Sequence, residues 1–491
     1  MMRQPRLFVL FLSLALSTTF SVAGKPPNIL LLLSDDLGYG ELSSFGQQSF
    51  STPNIDRLAA SGIRFTDAYT GAPVCAPSRG VLMTGLHTGH AYIRGNNGNA
   101  DGTDMHLRAN DTTLPELLQS NGYHTSLFGK WGLGFNDTEG APNVKGFDKF
   151  YGELDQANAH NMYPPFLWRD TEKEDLIGNV ETKPSRERCM VANSGCNWTH
   201  DIFTQNAIEE LENRAAEPEK PFFMFLSWTD PHAGGYTTTN AETGNPVPSA
   251  GDFANEADWP AVEQDHASVI QNYQDDSVGV ILKLLDDLKL TNDTIVFFAS
   301  DNGASNEGGL PETGFHSYNF FNSSGLLTGC KRSLYEGGIR SPTIVRWPGV
   351  VEEGVVSDFP WGFEDFLPTV LEIAGAEDVV KSNNFDGTSI VPVLQGGGGD
   401  RDRCLYFEFC TNINGVKSWG QAVRIGDYKA VTLSSEADLE LYNLRKDPSE
   451  QVNLAGGDGV EEIMGNLKDC LEREHVDSED FPKGDGVCRA S

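Results

Sequence analysis

The stretch Asn28-Ile29-Leu30-Leu31-Leu32-Leu33-Ser34-Asp35-Asp36, near the start of the chain, is the clearest indication of the fold. A continuous apolar run of this kind is typical of a strand that is buried on both faces of a parallel sheet. The run ends abruptly in polar residues. Because ligands bind beyond the carboxyl ends of strands in open α/β sheets, Asp35 and Asp36 are candidate site residues.

The same pattern occurs twice more along the chain. An apolar run at 222–226 precedes Asp230-Pro231-His232, and another at 295–299 precedes Asp301-Asn302-Gly303. Strands alternating with helices predict the α/β fold class, and the three strand ends are expected to converge on one site. The apolar periodicity between the strands predicts helices at about 114–120, 203–216 and 269–288.

Three segments are distinguished along the 491 residues. Residues 1–23 combine a basic start, a short apolar run and the small residues Ser21-Val22-Ala23, which predict a secretory signal peptide rather than a membrane span. Residues 24–395 are predicted to form the main α/β domain, and residues 400–491, after a four-glycine linker, a smaller C-terminal α+β subdomain. The mature protein is expected to be secreted, periplasmic or lysosomal, with no membrane span.

The chain is strongly acidic. It has 36 Lys and Arg residues against 70 Asp and Glu residues, which gives a formal net charge of −34 at pH 7. An electrostatic field of this sign repels nucleic acid and anionic lipid, so neither is expected as a partner. The same field also counts against an anionic substrate, unless basic residues gather around the site.

Eight cysteines in an exported chain of this length predict a few disulfides rather than a fold built from them. The near pairs are Cys189/Cys196, Cys404/Cys410 and Cys470/Cys488. Cys75 and Cys330 remain and could pair with each other. Five N-glycosylation sequons, roughly as many as chance predicts, occur at Asn110, Asn136, Asn197, Asn292 and Asn322.

The sharpest local motif is Cys75-Ala76-Pro77-Ser78-Arg79-Gly80, followed by Met83-Thr84-Gly85. A thiolate at Cys75 would be a nucleophile, and the nearby Arg79 is expected to lower the pKa of that thiol. From the residue alone, a disulfide or a buried structural thiol is the more common outcome in an exported chain.

The C-x-P-S-R pattern with a following T-G resembles the signature of the type I sulfatases, the formylglycine-dependent arylsulfatases and carbohydrate sulfatases of the alkaline-phosphatase-like superfamily. Other segments over most of the mature chain resemble the motifs of that family in the expected order. They are Asp35-Asp36-Leu37-Gly38, Gly129-Lys130-Trp131, Asp301-Asn302-Gly303, Lys331 with Glu336-Gly337-Gly338, and the ending Leu441-Tyr442-Asn443-Leu444 with Asp447-Pro448 and Asn453-Leu454.

The resemblance implies a large mixed sheet with helices on both faces and an exported sulfuric ester hydrolase. In that family a formylglycine-generating enzyme, here an expected partner, oxidises the cysteine to formylglycine during export. One hydroxyl of the hydrate attacks sulfur and expels the alcohol, and the second, once deprotonated, re-forms the aldehyde and expels sulfate. The resemblance also implies one Ca²⁺, for which hard oxygen donors are selective over zinc. Its ligands would be Asp35, Asp36, Asp301, Asn302 and an oxygen of the modified Cys75.

Basic residues complete the implied catalytic set, because several cations are needed to orient a sulfate and stabilise its transition state. By resemblance, Arg79 holds the formylglycine hydrate, and Lys130 and Lys331 contact the sulfate. His232 or Lys331 protonates the leaving oxygen. The expected substrate is a sulfated saccharide or an aryl sulfate, and the substrate-binding candidates are His90, Arg94, Asn96 and His160.

One position departs from the family pattern. Many sulfatases have K-W-H-x-G, whereas this chain has Lys130-Trp131-Gly132-Leu133-Gly134. The missing imidazole is usually assigned to proton handling. Another histidine could replace it (His87, His90 or His160), a carboxylate or water could do so, or the enzyme is impaired. The K-W-G-L-G form resembles a subgroup of carbohydrate sulfatases, which favours replacement.

Two other functions are considered beside the sulfatase. A phosphatase or phosphodiesterase of the same superfamily is disfavoured, because its two-zinc forms need Ser or Thr as nucleophile and several histidine ligands. A secreted protein that binds sulfated glycans without turnover is the other alternative, and Gly132 is the feature that supports it.

We predict that rising ionic strength speeds the capture of a polyanionic substrate, because salt screens the acidic envelope beyond about 8–10 Å while a local basic cluster continues to act at contact. The measurement is kcat/KM for a multiply sulfated saccharide across a salt series, with a singly charged aryl sulfate as the control. A steep fall of kcat/KM with added salt would contradict the prediction.

Overall fold

A ten-stranded mixed sheet lies at the centre of the computed structural model, which describes residues 25–96, 105–156, 158–182, 195–234, 244–310, 314–413 and 416–488. In chain order the strands are β1 (Asn28–Asp35), β2 (Ile63–Phe65), β3 (Ala68–Tyr69), β4 (His124–Lys130), β5 (Lys149–Glu153), β6 (Phe166–Arg169), β7 (Glu172–Asp175), β8 (Phe222–Pro231), β9 (Thr294–Ser300), β10 (Gly309–Leu310), β11 (Gly314–Phe315), β12 (Thr343–Arg346), β13 (Val355–Ser357), β14 (Trp361–Gly362), β15 (Leu405–Ile413), β16 (Val416–Ile425), β17 (Tyr428–Thr432) and β18 (Glu440–Asn443).

The α-helices in the described residues are α1 (Pro53–Ala60), α2 (Cys75–Thr84), α3 (Leu114–Ser120), α4 (Ile177–Thr182), α5 (Thr199–Ala215), α6 (Ala261–Ser268), α7 (Asp276–Asp287), α8 (Glu336–Ile339), α9 (Phe366–Ile373), α10 (Glu377–Ser382), α11 (Val391–Leu394) and α12 (Glu461–Arg473). A π-helical segment, Val269–Asp275, connects α6 to α7. The helix expected at 269–288 therefore begins earlier, at Ala261, because the buried polar residues Glu263, Asp265 and His266 interrupt the apolar periodicity of α6.

The sheet has the order β13-β2-β12-β9-β1-β8-β4-β5-β6-β7. Its central strand β1 is parallel to both neighbours, β8 and β9, and β4 is parallel to β8 and β5. Towards the two edges, β12 and β6 run antiparallel to the strands that they extend. The predicted large mixed sheet is therefore confirmed.

Alternate residues of β1 face two separate hydrophobic cores. Leu31 and Leu33 pack into the core covered by α2, α3 and α9, whereas Leu30 and Leu32 pack into the core covered by α1, α5 and α7. All eight residues of the strand are buried. The unbroken apolar run that opens the sequence thus has a direct cause, since the sheet is covered by helices on both faces as predicted.

The C-terminal residues form a second, four-stranded antiparallel sheet with the order β15-β16-β17-β18. Helix α12 packs on one face of this sheet, and the other face packs on Tyr69, Val74 and Ile339 of the main domain. This arrangement confirms the smaller C-terminal α+β subdomain.

The disulfides of this subdomain differ from the near pairs expected from the sequence. The bonds join Cys404 to Cys470 and Cys410 to Cys488. The expected pair Cys404/Cys410 was wrong because six residues of extended chain separate these cysteines by about 20 Å, well beyond the reach of one disulfide. One bond instead ties the residue before β15 to α12, and the other ties β15 to Cys488 at the end of the described chain.

Two predictions concern residues that the structure does not describe. The predicted signal peptide, residues 1–23, lies outside the described ranges, as does Cys189, although Cys196 is disulfide-bonded. In the parts of the chain that the structure describes, no helix is both long enough and apolar enough to cross a membrane.

A buried ion pair connects the main domain to the C-terminal subdomain. Arg94 donates from Nη1 to Glu408 Oε1 at 2.7 Å and from Nε to the carbonyl of Ala91 at 2.9 Å. The two charged side chains are 5% and 2% exposed. The structure therefore does not support Arg94 as a substrate-binding residue, because the C-terminal sheet encloses its charged end.

We predict that Arg94→Met lowers the free energy of unfolding by about 3 kcal/mol, because removing one partner of a buried ion pair leaves the other charge uncompensated. Urea unfolding of the purified protein measures the change. Arg108→Met is the matched control, since the Arg108 side chain is 47% exposed in its pair with Asp111 and the loss should stay below about 1 kcal/mol. Equal stability of the two variants would contradict the prediction.

Candidate active site

The carboxyl ends of β1 and β9 bring three carboxylates together. Asp35 ends β1, and Asp36 and Asp301 directly follow β1 and β9, which are parallel neighbours. The backbone N–H of Asp36 donates to Asp301 Oδ1 at 3.2 Å, and Asn302 Nδ2 donates to Asp36 Oδ1 at 2.6 Å. All four side chains are buried. The convergence expected from the strand ends is therefore present.

Cys75 is the first residue of α2, so the amino end of this helix lies against the carboxylates. Its Sγ is 3.3 Å from Asp35 Oδ1, and the residue is 1% exposed. Burial and the negative charge of Asp35 raise the pKa of the Cys75 thiol, although Lys130 and Lys331 act in the opposite direction. The pKa is thus raised overall, whereas a lowered pKa was expected beside Arg79, and Cys75 and Cys330 are both free thiols rather than a disulfide.

Three buried cations face the carboxylates. Lys130, the last residue of β4, places its Nζ 2.5 Å from Asp35 Oδ2, and Lys331 places its Nζ 2.8 Å from Asp36 Oδ2. Arg79 binds Asp301 Oδ2 with both Nε and Nη2, each at 2.9 Å. Burial alone would raise the pKa of Asp35, but the charges of Lys130 and Arg79 hold it well below its usual value.

His232 follows β8 and reaches the same cluster. Its Nδ1 lies 2.7 Å from the carbonyl oxygen of Ala233 and therefore donates to it, and its Nε2 lies 2.9 Å from Lys331 Nζ. Burial lowers the pKa of His232. The imidazole is thus neutral, and its unprotonated Nε2 accepts a hydrogen bond from Lys331.

The donor set fits a hard divalent cation. Ligand atoms of Asp35, Asp36, Cys75 and His232 lie within 4.8 Å of one another, and the Oδ1 of Asn302 is buried with no hydrogen-bond partner among the described residues. Burial and the nearby charge of Asp35 raise the pKa of Asp301. A bound cation would reduce the repulsion among these carboxylates and would give the Asn302 oxygen a partner. Carboxylate and amide oxygens are donors that suit Ca²⁺ or Mg²⁺.

A histidine at position 132, as in the related pattern, would have to displace Gln156. The backbone of Gly132 is left-handed, with φ +76°, and a Cβ at this position would lie 2.3 Å from Nε2 of Gln156. The same Nε2 donates to the carbonyl of Gly132 at 3.3 Å. A glutamine from the loop after β5 therefore occupies the space in which a side chain of residue 132 would begin.

Of the three histidines considered as replacements, His160 alone lies in the site. Its ring stacks on that of His232 with 4.4 Å between centroids, and burial together with the charge of Lys130 lowers the pKa of His160. His87 contacts Glu474 at 3.3 Å, and His90 contacts Asp386 at 2.8 Å. These two contacts lie at the other end of α2.

The four substrate-binding candidates are thus separated by the fold. His160 lies in the site, and Asn96 supports it, because its Oδ1 accepts from the N–H of Ala76 in the first turn of α2 at 3.0 Å. His90 and Arg94 are engaged with Asp386 and Glu408 elsewhere.

Glu307 is a site residue that the sequence analysis missed. Its Oε2 is 3.2 Å from Lys331 Nζ and 3.7 Å from His232 Nε2, and its Oε1 binds Arg332. Burial would raise the pKa of Glu307, but the charges of Lys331 and Arg332 lower it. A glutamate in a loop rich in Asn and Gly resembles a surface residue, and only the position of Glu307 six residues after Asp301 could have suggested its role.

Comparisons with known proteins agree with this geometry. The family model Sulfatase matches residues 27–376, and the model N-sulphoglucosamine sulphohydrolase, C-terminal, matches residues 329–477. Human arylsulfatase A is 31% identical over 93% of this chain and 89% of its own length. Human N-acetylgalactosamine-6-sulfatase is 32% identical over 89% of this chain and 83% of its own.

Solved structures share the fold. The crystal structure of Ps i-CgsB in complex with k-i-k-neocarrahexaose has a TM-score of 0.71 and 24% identity, over 91% of this chain and 92% of that one. A structure in complex with D-glucosamine-2-N,6-O-disulfate has a TM-score of 0.64 and 21% identity, over 91% of this chain and 97% of that one.

We predict that Gly132→His lowers turnover of an aryl sulfate rather than improving it. The left-handed backbone disfavours any side chain with a Cβ by about 1–2 kcal/mol, and the new imidazole would displace Gln156. Initial rates of sulfate release and thermal unfolding are the measurements. Gly132→Ala is the control, because it has the same backbone strain and the same Cβ contact with Gln156 but no imidazole. A Gly132→His enzyme with faster turnover and unchanged stability would contradict the prediction.

Proposed function

Since the chain belongs to the sulfatase family, we propose that it is an exported enzyme that removes sulfate from a sulfated carbohydrate. In this proposal a formylglycine made from Cys75 is the nucleophile and one Ca²⁺ binds the oxygen donors around it. The observation that supports it best is the position of Cys75 at the start of α2, with its Sγ 3.3 Å from Asp35 Oδ1 and the buried cations Arg79, Lys130 and Lys331 around these carboxylates.

Oxidation of Cys75 to formylglycine would supply a hydrated aldehyde, and a bound Ca²⁺ would supply Lewis-acid neutralisation of sulfate oxygens. The side chains around these groups would hold them in position. The two contacts of Arg79 with Asp301 fix its guanidinium, whose Nη1 donates to Ser227 Oγ at 2.6 Å and to the carbonyl of Lys130 at 2.8 Å. Lys130 and Lys331 carry the positive charges that would contact the sulfate.

Lys331 and His232 together hold the proton for the leaving group. His232 Nδ1 is committed to the carbonyl of Ala233, so the proton between the two side chains lies on Lys331 Nζ, 2.9 Å from His232 Nε2. Lys331 Nζ can therefore donate this proton to the ester oxygen as the alcohol leaves, directly or by way of His232 Nε2, and Glu307, 3.2 Å from Lys331, keeps the ammonium in place.

A carbohydrate ester is the favoured substrate class. Several relatives are named N-acetylgalactosamine-6-sulfatase, and the C-terminal family model is named after N-sulphoglucosamine sulphohydrolase. His160, beside His232, is the substrate-contacting candidate that the geometry supports best, with a neutral imidazole able to hydrogen-bond a sugar hydroxyl.

The phosphatase alternative is less well supported. A two-zinc site needs several histidine ligands, whereas His232 is the one histidine among the described residues grouped with Asp35 and Asp36, and Lys331 already contacts it. Comparing the turnover of an aryl sulfate with that of the matching aryl phosphate separates the two activities. Faster turnover of the phosphate would overturn the sulfatase proposal.

We predict that Cys75→Ala lowers sulfate release by about a thousandfold or more, as expected for loss of a nucleophile. Mass spectrometry of the peptide containing residue 75 should show the aldehyde in active wild-type protein. Cys330→Ser is the matched control, since Cys330 is the other free thiol among the described residues. Active enzyme with unmodified Cys75 alone would refute the mechanism, and modified protein that binds a sulfated saccharide without releasing sulfate would favour the binding protein.

A further inference from the structure

Lys331 and Arg332 are consecutive cations with different exposure. The Lys331 side chain is 3% exposed and reaches Asp36, whereas the Arg332 side chain is 38% exposed. Both bind Glu307, Lys331 through Oε2 at 3.2 Å and Arg332 through Oε1. One carboxylate thus connects a cation inside the site to a cation at its surface.

The backbone holds Arg332 close to Cys75. The N–H of Arg332 donates to the carbonyl of Pro73 at 2.8 Å, and the N–H of Lys331 donates to the carbonyl of Ala304 at 2.8 Å. Arg332 has a left-handed backbone with φ +70°, which is uncommon for a residue with a Cβ. Strained backbone of this kind persists where the surroundings determine it and is concentrated at functional sites.

The guanidinium of Arg332 keeps unused donors. Among the described residues, Nη1 is the one nitrogen of this side chain with a hydrogen-bond partner, Glu307. An arginine has five N–H donors in a planar fork that matches the oxygens of a carboxylate or a sulfate. The Nε and Nη2 groups are therefore available to an anion.

Arg79 and Arg94, the two other arginines considered as site residues, have no exposed donors for an anion. Arg79 is 1% exposed and is bound to Asp301, and Arg94 is 5% exposed and is bound to Glu408. Of these three arginines, Arg332 is the one that offers unpaired donors to solvent.

We propose that Arg332 binds a second anionic group of the substrate, a sulfate or a carboxylate near the ester that is cleaved. The inference rests on the proposed function and names a substrate class within it, the saccharides with more than one anionic group. Glu307 holds the guanidinium beside Lys331, so the two cations contact two anions of one ligand. The second anion increases affinity for the substrate and takes no part in bond breaking.

The test compares kcat/KM for three probes: a glucosamine 6-O-sulfate, the same sugar with an added 2-N-sulfate, and a disaccharide of the monosulfated sugar with a uronate. The wild-type protein should prefer at least one dianionic probe. Arg332→Gln should reduce that preference about tenfold, the usual size of a charge-assisted hydrogen bond, and Arg332→Lys should reduce it less. The preferred probe identifies the anion as sulfate or carboxylate.

Two further variants assign the effect to the side chain. Arg332→Gly accepts a left-handed backbone without strain, so it should lose the preference as fully as Arg332→Gln while remaining folded. Arg445→Gln is the control for total charge, since the Arg445 side chain is 71% exposed and pairs loosely with Asp427, and it should keep the preference.

Two results would overturn the inference while leaving the sulfatase function intact. One is sulfate release by the wild-type protein with no preference for a dianionic probe, and the other is a preference that Arg332→Gly retains. If wild-type protein with confirmed formylglycine releases no sulfate from any probe or from an aryl sulfate, the proposed function itself has failed.

Discussion

Buried charges of opposite sign hold one another in place at the carboxyl ends of the central strands. A carboxylate as deeply buried as Asp35 or Asp301 would be very unfavourable without a cation beside it. Four acids, Asp35, Asp36, Asp301 and Glu307, face four cations, Arg79, Lys130, Lys331 and Arg332. The protein charges therefore balance, and a divalent cation would make the cluster positive enough to receive a sulfate ester within an acidic protein.

The strand ends were predictable because a strand covered on both faces has an unmistakable composition. The apolar run of β1 predicts that Asp35 and Asp36 lie at the carboxyl end of this strand, and the run of β9 predicts the same for Asp301. Positions in loops were less predictable, because their partners are distant in sequence. Arg94 is bound by Glu408, 314 residues later, and His90 by Asp386, 296 residues later. The predicted disulfide between Cys404 and Cys410 was wrong for a similar reason, because residues that are close in sequence can be far apart in space when the chain between them is extended.

Gly132 shows why a missing residue is hard to interpret from one position. The sequence shows only that an imidazole is absent after Lys130-Trp131. In the structure, Gln156 comes from the loop after β5 to fill that space, and His160 from the same loop stacks on His232. The side chains around Gly132 therefore come from the loop after β5, which the pairing of β5 with β4 brings beside the motif. The sequence of the motif alone does not show this neighbour.

The depth of Cys75 also bears on the order of events while the protein is made. The thiol is 1% exposed beneath the helix that it begins, and the two disulfides of the C-terminal subdomain join residues that are synthesised last. If the proposed oxidation of Cys75 takes place, the oxidising enzyme has to reach the thiol while the chain is still open, before the sheet and the C-terminal subdomain close around it. In that case modification of Cys75 and folding would compete, and a chain that folds first would keep an unmodified thiol.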